Sequence, residues 1–180
     1  DHILVDSRTT LDDLINLLDV PPERVTVHML GVNKMFHPVD AEALATTRTR
    51  LNLPDTYLLF VGTFEPRKNI PGLLDAYHLL RQNIPDAPPL VMVGRRGWLY
   101  DEIFAKVDAL KLRDHIIWQE NAAFADLPAI YSGATMLVLP SHYEGFGLTA
   151  LEAMACGTPP IVANRGSLPE VVGENGLLVD

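Results

Sequence analysis

Tyr57-Leu58-Leu59-Phe60-Val61-Gly62-Thr63-Phe64-Glu65-Pro66-Arg67-Lys68-Asn69-Ile70-Pro71-Gly72-Leu73-Leu74 decides the fold. The apolar run Tyr57–Val61, stopped by Gly62, reads as a short buried strand. Asn69 reads as a helix N-cap, because Ile70, Leu73, Leu74, Tyr77 and Leu80 then fall on one helix face. The same alternation extends in both directions. Ile3–Val5, Val25–His28, Leu90–Val93, His115–Trp118, Met136–Leu139 and Pro160–Ala163 read as further strands. Thr10–Leu18, Ala41–Arg50, Leu99–Leu110, Ala125–Ser132 and Phe146–Cys156 read as helices between them. Strand and helix in alternation imply right-handed crossovers and an α/β fold, a parallel sheet with helices on both faces. Ligands of such a sheet bind beyond the carboxyl ends of its strands, which points to the loops after Val61, Val93, Trp118 and Leu139.

The turn-rich segment between Gly31 and Pro54 marks the one boundary, with residues 1–38 on one side and 39–180 on the other. Upstream lies a single βαβ unit, too small to enclose a core of its own. Both ends are expected to continue into a longer polypeptide. Across 180 residues the net charge is −9, which argues against a nucleic-acid partner, since phosphate backbones are held by an excess of cations. The single Cys156 forms no intrachain disulfide and suits a reducing compartment. No run approaches the roughly 20 apolar residues of a membrane span.

Two loops carry the chemistry. In Gly62–Asn69, Gly62 lets a ligand approach the backbone, the following helix offers free N–H groups, and Arg67 and Lys68 bring positive charge to an acidic chain. A diphosphate suits it, and so does a solvated loop. Val93-Gly94-Arg95-Arg96-Gly97 is a second, weaker cationic turn. The sharper segment is Glu144-Gly145-Phe146-Gly147-Leu148-Thr149-Ala150-Leu151-Glu152, which runs from a strand end into a helix. It fits a loose Gly-x-Gly-x-x-Ala pattern, but no acidic residue follows the strand ending at Ala163, so a nicotinamide or flavin site is not expected. Leu148, Leu151 and Ala155 form an apolar stripe with Glu152 inside it. A carboxylate there is costly unless it is paired or hydrogen-bonded, so it makes a structural ion pair or a bond to backbone amides, or it accepts hydroxyl hydrogens from a ligand such as a ribose. The six histidines show no metal-ligand spacing, and His142 is notable only for preceding Glu144. Neither a Gly-x-x-x-x-Gly-Lys-Ser/Thr loop nor a Gly-x-Ser-x-Gly elbow occurs.

Glu144 and Glu152, separated by seven residues and continued by Ala153-Met154-Ala155-Cys156-Gly157-Thr158-Pro159, closely resemble the signature of the retaining glycosyltransferases of family 4, group 1. Those enzymes have the GT-B fold of two Rossmann-like domains. Gly62–Asn69 resembles their phosphate-binding loop, Leu127–Ala134 their Leu-Pro-x-x-Tyr-x-x-Ala helix, and Pro169–Val172 with Gly176–Val179 the segment after it. Val27–Pro38 resembles the join between the two domains.

The resemblance implies a Rossmann-like donor domain over 39–180, truncated at its carboxyl end, with 1–38 the end of an acceptor domain and a linker. By the same resemblance Lys68 and Arg67 bind the donor diphosphate, Gly62 lies against it, Glu152 holds the ribose, and Glu144 is the catalytic residue at the transferred sugar. Gly145, Phe146, Gly147 and Leu148 would line the sugar and phosphate pocket. Thr63 stands where many members carry Arg. Implied with these are a nucleoside-diphosphate-sugar donor, no cofactor or metal, a saccharide or lipid-linked acceptor, and a cytoplasmic location that leaves open peripheral attachment to the inner membrane face. Glu65-Pro66-Arg67-Lys68-Asn69 resembles the loop of the mannosyltransferase subset, which would make the donor GDP-mannose. A nucleotide-sugar epimerase and a non-catalytic sugar-nucleotide-binding module are the competing expectations.

Overall fold

The computed structural model describes residues 1–97 and 100–180. The chain opens with β1 (Ile3–Val5), α1 (Arg8–Leu18) and β2 (Val25–Val27), the two strands pairing in parallel as a sheet of their own. A connection through Phe36, which is buried, leads to α2 (Ala41–Leu51). Next come β3 (Leu58–Val61), α3 (Ile70–Asn83), β4 (Leu90–Val93), α4 (Tyr100–Ala109), β5 (Ile116–Gln119) and α5 (Leu127–Ser132). The chain ends with β6 (Met136–Leu139), α6 (Leu148–Ala155), β7 (Pro160–Ala163), α7 (Leu168–Val172) and β8 (Leu177–Val179). Strands β3 to β8 form one parallel sheet in the order β5-β4-β3-β6-β7-β8. The order reverses between β3 and β6, where the chain stops adding strands on one side and starts on the other. That switch point opens a crevice at the carboxyl ends of those two strands.

The central strands β3 and β4 are buried because helices cover the sheet there on both faces, whereas the edge strand β8 is exposed along its length. Leu59, Phe60, Leu90, Met92 and Leu137 are fully enclosed, as are Phe64, Ile70 and Leu74 from the loop and helix after β3. The α3 face expected from periodicity is the one that packs, with Ile70, Leu73, Leu74 and Tyr77 buried. Asn69 caps it, its side-chain oxygen accepting from the Gly72 amide at 3.3 Å. Arg50 at the end of α2 pairs with Asp126 ahead of α5 and fixes α2 to the larger sheet's layer.

Some sequence expectations move. The expected helix start at Leu99 lies outside the described residues. β5 sits one residue later than expected, and the terminal apolar run Leu177–Val179 is a strand paired with β7. The apolar stripe of α6 is corrected: Ala150 and Ala153 are buried, whereas Leu148 is 42% exposed and Leu151 and Ala155 are only partly covered. Small residues let α6 lie close to the sheet, so its larger side chains are left at the rim. The helix also begins at Leu148 instead of Phe146, since Gly147, at φ 101°, takes a left-handed conformation that ends the loop.

Candidate active site

Both chemistry-bearing loops leave the sheet at the switch point. The Gly62 loop follows β3 and the Glu144 loop follows β6, so adjacent parallel strands deliver them side by side. They are stitched together, the His142 amide donating to the Arg67 carbonyl at 2.9 Å and the Arg67 guanidinium to the Tyr143 carbonyl at 2.9 Å.

At their junction Glu144 is held by two cations. Lys68 Nζ donates to its Oε1 at 2.7 Å and Arg67 to its Oε2 at 2.6 Å, while the buried Ser141 hydroxyl adds a third bond to Oε1 at 2.7 Å. Arg67 also pairs with Glu65 at 2.7 Å. The Lys68 and Glu144 side chains are each only 9% exposed, but Arg67 is 41% exposed, so one cation is enclosed and the other faces solvent. Burial by itself would push the Glu144 carboxyl up. The bond and charge of Lys68, joined by Ser141 and Arg67, overturn that and hold it below the ordinary glutamate value. Gly62 lies directly beside Lys68, whose Cε is 3.3 Å from where a Cβ would stand.

The backbone of the Glu144 loop is fixed from behind by residues that no motif singled out. Ser167 donates its hydroxyl to the carbonyls of Glu144 at 2.9 Å and Phe146 at 2.6 Å, and its amide also reaches the Glu144 carbonyl. Gly166, at φ 56°, packs so tightly that a Cβ would come within 2.8 Å of the same carbonyl. Phe146 and Gly147 are buried and Gly145 is partly so. From the other side α1 meets this loop. The Tyr143 hydroxyl donates to Asp13 at 2.5 Å, Thr10 to the Gly145 carbonyl at 3.4 Å, and the first amides of α1, Arg8 and Thr9, donate to Glu170 at 3.1 and 3.2 Å.

Glu152 lies about one turn along α6 in a different environment. Its partner is the phenol of Tyr131 at 2.9 Å, and among the described residues no cation pairs with it. Burial raises its carboxyl above the ordinary value, and the Tyr131 bond opposes that only in part. Among the described residues, then, neither a structural ion pair nor a bond to a backbone amide is what holds Glu152. Tyr131 is buried 6.0 Å from Phe36, ring to ring. Cys156, one turn beyond, is a buried thiol pushed up to about 11, first by burial and then by the charge of Glu152.

Beside Gly62 a cavity of about 330 Å³ opens at the ends of β3, β4 and β5, bordered by Thr63, Arg95, Gln119 and Phe124. The second cationic turn divides its arginines: Arg95 borders this cavity, and Arg96 grips Glu120 through Nε and a terminal nitrogen at 2.8 Å. His142 is exposed and borders a separate cleft with Glu65, Asn69 and Glu102.

Comparison with known proteins gives this geometry a context. Over 179 residues the chain is 39% identical to O-antigen chain mannosyltransferase B of Escherichia coli, covering 99% of this chain and 47% of that protein. It is 35% identical to a D-inositol 3-phosphate glycosyltransferase of Salinispora tropica, covering all of this chain and 40% of that protein. The chain thus spans less than half the length of both. Among solved structures, the Anabaena HepE protein in complex with UDP and glucose superposes with a TM-score of 0.87 at 22% identity, over 99% of this chain and 49% of that one. Sucrose-phosphate synthase from Thermosynechococcus elongatus gives a TM-score of 0.83 at 33% identity over 99% of this chain and 45% of that one. The larger sheet is thus the doubly wound unit of a GT-B fold. A family model described as glycosyl transferases group 1 matches residues 45–180, from α2 to the end of β8, and the chain belongs to that family.

Proposed function

We propose that this chain carries the donor site of a retaining glycosyltransferase that moves a hexosyl group, mannosyl in our reading, from a nucleoside-diphosphate sugar to a saccharide or lipid-linked acceptor. Residues 39–180 form the donor domain and 1–38 end the acceptor domain. The observation that carries the reading is the meeting of Lys68, Arg67 and Glu144 at the switch point of the sheet.

Departure of a nucleoside diphosphate develops negative charge on its terminal phosphate. Lys68, fixed and enclosed, and Arg67, at the mouth, stabilise that charge more as the glycosidic bond breaks, which is where stabilisation accelerates a reaction. In this reading they supply the countercharge without requiring a divalent ion. The amino end of α6, which follows Gly147 at Leu148 with no side-chain cap, would add helix N–H groups to that stabilisation. Glu144 meets the sugar, Glu152 accepts the ribose hydroxyls, and the cavity beside Gly62 takes the base. Similarity to an O-antigen mannosyltransferase supports the mannosyl choice. No helix among the described residues is long and apolar enough to cross a membrane, so in this reading a lipid-linked acceptor is met at a membrane surface through the remainder of the acceptor domain.

Radiolabelled GDP-mannose and UDP-glucose, incubated with candidate acceptors and an enzyme containing both domains, test the proposal. Acceptor-dependent transfer is expected, falling about a hundredfold or more in Glu144→Ala while nucleotide binding persists. The 180-residue chain alone should bind donor without transferring it, since both substrates must be held in one cleft. Conversion of the sugar without transfer would indicate an epimerase. Binding without either reaction would indicate a module that has lost catalysis.

A further inference from the structure

We infer that Glu144 is the built-in counterion of the diphosphate site, and that this makes it a specificity residue which favours the intact sugar nucleotide over the spent nucleoside diphosphate. The inference rests on the reading of Lys68 and Arg67 as the phosphate-binding cations.

Around the switch point two cations, Arg67 and Lys68, face two carboxylates, Glu65 and Glu144. The cluster is neutral and its bonds are short, so it offers an arriving diphosphate no unspent positive charge. Lys68 is the enclosed member, and its bond to Glu144 Oε1 lies within a buried pair. For a phosphate oxygen to bond Lys68, that carboxylate must yield its place or share it. A carboxylate and a phosphate on the same cations also repel each other. Lys68 keeps N–H donors to share, so it is the repulsion between the two anions that drives an exchange, and its cost falls on Glu144, which leaves two cations and the Ser141 hydroxyl at once.

Compensation of the released carboxylate depends on the group attached to the diphosphate. A sugar nucleotide brings hydroxyl donors to the place where Glu144 swings free, and these replace the lost bonds. A free nucleoside diphosphate brings none, and carries an additional negative charge on its terminal phosphate. The displaced, half-enclosed carboxylate then remains poorly satisfied beside a more strongly charged ligand. Glu144 thus weakens the product more than the donor and favours its release after transfer. The backbone need not move, since Ser167 and Gly166 hold it; only the side chain rotates.

Calorimetry of the 180-residue chain with GDP, UDP, GDP-mannose and UDP-glucose, on wild type, Glu144→Gln and Lys68→Ala, tests this. Glu144→Gln is expected to bind the free diphosphate about three- to tenfold tighter than wild type, the net scale of one ordinary hydrogen bond. It should bind the matching sugar nucleotide no tighter than wild type, so the preference for donor over product collapses. Glu144→Asp, whose shorter arm draws the carboxylate back from both cations, should move the same way, and it keeps the test available if the Gln variant fails to fold. Equal or weaker binding of the free diphosphate by the folded variants, with Lys68→Ala still impaired, overturns the counterion role alone. Unchanged binding by Lys68→Ala overturns the donor-site reading beneath it.

Discussion

Glu144 and Glu152 belong to one short segment, yet the molecule treats their carboxylates in opposite ways. Glu144 sits on a loop between β6 and α6 and meets two cations and a serine. Glu152 sits inside α6 and meets one phenol. Burial acts on both, but Lys68 overrides it at Glu144 and nothing comparable does so at Glu152. The loop position explains the difference, because it borders the Gly62 loop and receives that loop's charges, whereas the helix position faces the Tyr131 helix, which brings no cation. An anion arriving at the first site competes with a carboxylate already there. A hydroxyl arriving at the second finds acceptor capacity still open.

The hardest test of this contrast removes the cation that creates it. Lys68→Ala should cost nucleoside diphosphate binding roughly 1.5 to 3 kcal/mol, the range for hydrogen bonds to charged groups, read by calorimetry with GDP and UDP. A loss of that size confined to ligands with a diphosphate, with mononucleosides unaffected, would place the phosphate on the loop. Equal losses for both would mean that Lys68 acts by holding the fold.

Glu152→Gln probes the other half with a smaller effect. The amide keeps one acceptor for Tyr131 but loses the charge and the second carboxylate oxygen that a ribose would use. Nucleotide affinity should fall by about 1 to 2 kcal/mol. Thermal unfolding at neutral pH should be unchanged or raised, because an uncompensated buried charge has been removed. Loss of stability with full affinity would show a structural role and erase the contrast.

The legibility of the fold and site in the sequence depends on the reach of each signal. The strand-loop-helix reading of Tyr57–Leu74 depends on local periodicity and holds at α3 for Ile70, Leu73, Leu74 and Tyr77, with Leu80 only partly covered. Gly62, Arg67, Lys68 and Glu144 announce themselves as glycine and charge beside a strand end, and Glu152 as a carboxylate inside an apolar helical stretch. The partners do not announce themselves. Ser141, Ser167 and Tyr131 are ordinary residues until the fold brings them to Glu144, Phe146 and Glu152, and for the latter two across sequence distances that no periodicity spans. Tyr131 does stand in the Leu127–Ala134 motif, the one available hint of a role. The α6 stripe misplaces Leu148 and Leu151 because hydrophobic pattern favours large residues, while close packing against a sheet selects the alanines.

The finest test is the pH dependence of stability, where the two carboxylates should pull in opposite directions. Glu144 is held below its ordinary value when folded, so its contribution is present above the unfolded glutamate value and is lost as pH falls through the lower folded value. Glu152 is raised when folded, so the native state binds its proton more tightly than the unfolded chain does. Its charge therefore begins to destabilise as pH rises past the unfolded value, and the cost is complete once pH passes the higher folded value. Urea unfolding of wild type, Glu144→Gln and Glu152→Gln from neutral pH down through the carboxylate range separates the two. The wild-type curve should lose stability relative to Glu144→Gln only on the acid side, and should gain relative to Glu152→Gln as pH falls from the upper side. If both differences run parallel to the pH axis, each glutamate keeps its ordinary protonation in the folded chain. The neutralised and the open carboxylate would then be one environment, and the opposition between loop and helix would be lost.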